Sequence, residues 1–102
     1  MGKTYCAYLL GKDYHNIILV STTRSLAESN LKQLYNYSGN SYNPILISMD
    51  GSRDVSNIKK LIKDKNIFSV TYDSVDILNK IIENIENNII FIDEYHNLYL
   101  NN

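Results

Sequence analysis

The chain has 102 residues, one domain or part of one, and its 44% hydrophobic and 21% charged content is that of a folded protein rather than a disordered one. A net charge of −1 removes any bulk electrostatic reason for tight nucleic-acid binding, so a basic contact surface would have to be local. A single cysteine, Cys6, excludes an internal disulfide and a cysteine-based zinc site. It points to a reducing, intracellular setting (cytoplasm or nucleus, cellular or viral) rather than secretion. No apolar run approaches the roughly 20 residues that cross a bilayer, and Tyr5 to Leu10 is too short a run for a signal peptide.

Along the chain, apolar runs alternate with amphipathic stretches. Tyr5 to Leu10 reads as a helix stopped by Gly11. Ile17 to Val20 is β-branched and nearly continuous, as expected of a strand buried on both faces. Ala27, Leu31, Leu34 and Tyr35 share one helix face. Asn36 to Asn43 reads as a loop, and Pro44 precedes a second strand, Ile45 to Ser48. Val55, Ile58, Leu61 and Ile62 imply a short helix ending near Lys65-Asn66, and Ile67 to Thr71 is a third strand. Asp73 or Ser74 is placed to cap a helix carrying Val75, Leu78, Ile82 and Ile85 on one face. Ile89 to Ile92 is a fourth strand that runs directly into Asp93-Glu94-Tyr95-His96. This alternation predicts an α/β fold, a parallel sheet with helices on both faces, in a single domain over residues 1–102.

Two short motifs carry chemistry. Gly2-Lys3-Thr4 has the residue types that end a phosphate-binding loop: glycine admits phosphate oxygens to the backbone, lysine adds charge, and a threonine in the first helical turn can ligate Mg²⁺. By itself it is a common tripeptide. Asp93-Glu94 stands where a strand ends, the place where ligands bind in open α/β sheets. An aspartate there can hold Mg²⁺ and a glutamate can activate water; without a partner motif the pair reads as a solvated acidic turn. The two motifs in this order match a Walker A and Walker B pair. The Lys59, Lys60, Lys63 and Lys65 cluster reads as the solvated face of its helix, and His15 has no partner in sequence.

With those motifs in place, the chain resembles the first RecA-like, P-loop NTPase domain of a superfamily 2 helicase of the DExH type. Gly2-Lys3-Thr4 resembles the end of motif I, Val20 to Ala27 motif Ia, Thr71 to Ser74 the threonine-tyrosine turn, and Asp93 to His96 motif II. The resemblance implies a three-layer RecA-like sheet, with ATP and Mg²⁺ as cofactors. Gly2, Lys3 and Thr4 would bind phosphate, Thr4 and Asp93 would hold the metal, and Glu94 with Asp93 would be catalytic. His96 would couple the ATP site to a nucleic-acid cleft, and Thr23, Arg24 and Thr71 would contact the backbone of single-stranded or duplex nucleic acid.

The resemblance also implies a partial domain, truncated at both ends. The strand before motif I, a strand after motif II and the second RecA-like domain are not among these residues. The expected behaviour is an ATP-binding fragment with weak nucleic-acid affinity that neither unwinds nor hydrolyses ATP efficiently by itself. The alternative is a non-enzymatic remnant or interaction module, pairing with a second polypeptide that carries the remaining motifs.

Overall fold

The computed structural model describes residues 2–48 and 54–92, the first two by backbone alone. The elements in order are α1 (Gly2–Gly11), β1 (Asn16–Ser21), α2 (Arg24–Tyr37), β2 (Asn43–Ile47), α3 (Val55–Leu61), β3 (Asn66–Thr71), a 3₁₀ turn (Tyr72–Ser74), α4 (Val75–Ile82) and β4 (Asn88–Ile92). The strands form one four-stranded sheet in the order β2-β3-β1-β4, parallel at every pairing. All six residues of β1 and of β3 are buried, which is why these central strands read as unbroken apolar runs.

Alternate strand residues face two separate cores. Ile18, Val20, Ile45, Ile47, Phe68 and Val70 pack against Ile58 of α3 and Ile77, Leu78 and Ile81 of α4. Ile17, Leu19 and Ile67 point the other way, toward Ala7 of α1, Leu34 of α2 and Tyr42. The architecture is therefore an α/β fold with helices on both faces of a parallel sheet. α1 ends where it meets this sheet: a methyl group added at Gly11 would lie 2.9 Å from Ile17 Cγ1.

Several boundaries differ from the sequence reading. α3 stops at Leu61 rather than near Lys65, because Ile62 is extended and the Lys63 N–H is taken by Asn66 Oδ1 at 2.8 Å. α2 runs to Tyr37, and the turn after it places Gly39 and Asn40 at φ 62° and 70°. Pro44 lies inside β2 instead of before it. The Asn43 N–H points inward to Lys65 O, so the proline nitrogen faces the open edge, where no ladder bond is lost. On α4 the deepest residues are Ile77, Leu78 and Ile81, with Val75, Ile82 and Ile85 flanking them. Ser74 takes the N-cap of α4 without a side-chain cap bond, because the 3₁₀ turn intervenes and the Val75 N–H goes to Tyr72 O.

Each of the four strands among the described residues begins with asparagine, and the register aligns all of them: Asn43 with Asn66, Asn66 with Asn16, and Asn16 with Asn88. Their amides form a head-to-tail row. Asn43 Nδ2 donates to Asn66 Oδ1 at 3.2 Å, Asn66 Nδ2 to Asn16 Oδ1 at 2.8 Å, and Asn16 Nδ2 to Asn88 Oδ1 at 2.9 Å. The other N–H of Asn43, Asn66 and Asn16 goes to a nearby backbone carbonyl, of Leu61, Lys63 and Glu86 in turn, and Asn88 gives one N–H to Ile85 O. Asn66 and Asn16 are 0% and 3% exposed, so this row satisfies amides that would be costly to bury unpaired.

Candidate nucleotide and nucleic-acid site

The opposite, carboxyl end of the sheet gathers hydroxyl groups. β1 ends at Ser21, β3 at Thr71 in register with it, and Ser48 follows one residue beyond the Ile47–Val70 pair. Thr4, in the first turn of α1, belongs to the same end. It is 6% exposed, and its Oγ1 lies 3.5 Å from Asn30 Oδ1 on α2, while Asn30 Nδ2 donates to Ser21 Oγ at 3.2 Å. One polar line thus ties the start of α1 to α2 and to the end of β1.

The other sequence candidates at this end have local partners. Thr23 is the N-cap of α2: it is extended, at φ −131° and ψ 159°, and its Oγ1 accepts the Leu26 N–H at 3.2 Å. Arg24 Nε sits 2.7 Å from Glu28 Oε1, an exposed i, i+4 pair worth at most about 0.5 kcal/mol. Thr71 is buried, and its hydroxyl donates to Asp73 Oδ1 with Ser74 Oγ 3.4 Å away, so it braces the turn that follows β3. Thr4, Thr23, Arg24 and Thr71 therefore share one end of the sheet. Gly2 and Lys3 form the first turn of α1. Asp93, Glu94 and His96 follow β4 in sequence and lie outside the described residues.

Asn30 and Ser48, outside every motif, and Ser21, which lies in the motif Ia stretch but was given no role there, complete this end of the molecule. Ser21, Ser48 and Thr71 had a readable signal, since each closes an apolar strand run with a hydroxyl residue. Asn30 had none, because its place beside Thr4 depends on how α1 and α2 pack. Ser48 Oγ is buried with no hydrogen-bond partner among the described residues.

Among the described residues no three His, Cys, Asp or Glu side chains cluster in a metal-binding group. A Mg²⁺ site would rest on oxygen donors, and the Thr4 hydroxyl with the neighbouring Asn30 carbonyl oxygen is of that hard-donor type. No helix among the described residues is long and apolar enough to cross a membrane.

Fold and site together define a parallel α/β protein with a polar, hydroxyl-lined carboxyl end. Compared with protein-family models, curated proteins and solved structures, the chain matches none.

Proposed function

We propose that residues 1–102 are part of the first RecA-like ATP-binding domain of a DExH-type helicase or translocase. The observation that carries this reading is spatial: Thr4, Thr23, Arg24 and Thr71, from three separate motifs, share the carboxyl end of one parallel sheet. In support, β4, the strand that leads into Asp93-Glu94-Tyr95-His96, lies directly beside β1. The carboxyl end of a parallel sheet is also where nucleotides bind across α/β folds.

In this reading the α1 N-terminus, with Gly2 and Lys3, receives the β- and γ-phosphates of ATP. Thr4 and Asp93 hold Mg²⁺, Glu94 activates water, and His96 couples the site to bound nucleic acid. Thr23, Arg24 and Thr71 contact a sugar-phosphate backbone, positioning a strand without reading its bases. Unwinding requires a second RecA-like domain closing on the nucleotide, so the 102-residue chain by itself binds Mg-ATP and nucleic acid weakly and does not unwind.

The test is nucleotide binding by the purified chain, read by calorimetry, with Lys3→Ala and Asp93→Ala beside the parent. Mg-dependent ATP binding that both substitutions weaken by about tenfold or more supports the reading. Affinity that neither substitution changes, or no affinity for the parent chain, rejects it.

A further inference from the structure

The asparagine row has a direction, and that direction ends at an open strand. Each amide donates toward the next strand, from β2 through β3 and β1 to β4. Asn88 receives the last bond and spends one N–H on Ile85 O at 3.3 Å. Its second N–H, the one that in Asn43, Asn66 and Asn16 reaches the next strand, has no partner among the described residues.

The rest of β4 agrees. Ile90 and Ile92 are 46% and 54% exposed, while Ile89 and Phe91 on the other side pack into the core under α1. Edge strands are normally blunted by proline, lysine or a bulge. The opposite edge has such a device in Pro44, whereas β4 reads Asn-Ile-Ile-Phe-Ile, with neither charge nor proline. Exposed Glu83 and Glu86 precede its amino end, which favours a positive charge at the start of whatever pairs there.

We propose that the β4 edge is a docking surface for one further parallel strand from another polypeptide segment, beginning Lys-Asn and continuing with β-branched residues. Its asparagine Oδ1 accepts the free Asn88 N–H, so the amide row continues unbroken from the three strand pairings already present. Its lysine faces Glu83 and Glu86, and its apolar side chains cover Ile90 and Ile92. A second copy of this chain fits poorly. Antiparallel self-pairing about Ile90 would set Asn88 against Ile92, where its free N–H meets an apolar side chain in place of an amide acceptor. This inference does not depend on the nucleotide reading.

The test uses the full chain and a fluorescein-labelled peptide, Lys-Asn-Val-Ile-Val-Val-Lys-Lys, followed by anisotropy. Saturable binding is expected, about threefold to tenfold weaker when the peptide's asparagine is replaced by leucine, the equivalent of one hydrogen bond. In the chain, Ile90→Lys should weaken binding by about tenfold or more. Leu61→Lys, which removes an equally exposed apolar side chain on α3, should leave binding unchanged. Circular dichroism verifies that both variants are folded. Three results would overturn the proposal: no binding, equal affinity for the asparagine and leucine peptides, or indifference to Ile90→Lys. Sedimentation showing that the chain dimerises through Ile90 and excludes the peptide would assign the edge to a second copy instead.

Discussion

Tyr42 shows how one side chain can hold a connection together. Its ring is 3% exposed, and its hydroxyl donates to Tyr14 O at 2.6 Å, with Lys12 O and Gly11 O at 3.1 and 3.4 Å around it. It thereby fastens the link between α1 and β1 to the start of β2. Burial, then the neighbouring Tyr8 and Asp13, raise its pKa above the ordinary tyrosine value of 10.0. The folded chain therefore holds this proton more tightly than the unfolded chain does. That contribution to stability is complete below about pH 10 and is lost as pH rises beyond it. Tyr42→Phe should cost about 1 kcal/mol in urea unfolding at neutral pH and should flatten part of the alkaline fall in stability. Asn66 is the other sensitive residue. It bonds Asn43, Asn16 and both backbone groups of Lys63, so Asn66→Ala leaves several buried partners unpaired. A loss of at least about 2 kcal/mol is expected by the same measurement.

Among the elements, α2 is fastened by polar contacts as well as by packing. Ser69, fully buried in β3, donates its hydroxyl to Ala27 O at 2.6 Å, bridging strand to helix inside the core. Ser69→Ala should cost about 1 kcal/mol, and removal of the Thr23 cap by Thr23→Ala about the same. Thr23 also separates two roles. A purely structural cap lowers the melting temperature and leaves nucleic-acid affinity alone. A backbone contact would in addition lower the affinity and the slope of its salt dependence. The paired measurement on Thr23→Ala, with Lys32→Ala on the exposed face of α2 as a helix-surface comparison, distinguishes these outcomes.

At the scale of the whole molecule, the two ends of the sheet are chemically different. The amino end carries an amide row that bonds internally from Asn43 as far as Asn88, while the carboxyl end carries Thr4, Ser21, Ser48 and Thr71. A ligand that binds the native chain and not the unfolded one raises stability by mass action, about 2.7 kcal/mol at a hundredfold excess over its dissociation constant. Mg-ATP should therefore raise the melting temperature of the parent chain, with a smaller rise or none for Lys3→Ala. An equal rise in both would place nucleotide binding elsewhere on the molecule.

The order of elements, the parallel α/β class and the strand cores were legible in the sequence, because buried strands such as Ile17 to Val20 leave no room for polar residues. The cap at Thr23 was not read there: the sequence reading made Thr23 a nucleic-acid contact, and its bond to the Leu26 N–H came from the structure. Helix ends were less legible: the stop at Leu61 depends on Asn66 reaching back to Lys63, a contact that no period in the sequence announces. The asparagines before each strand were visible as letters, but only in-register pairing turned them into one row. The same holds for the carboxyl end, where Thr4 meets Asn30 through helix packing across 26 positions. Local propensity and hydrophobic period are carried by the chain itself. Which polar groups meet depends on strand order and register, and those exist only once the sheet has formed.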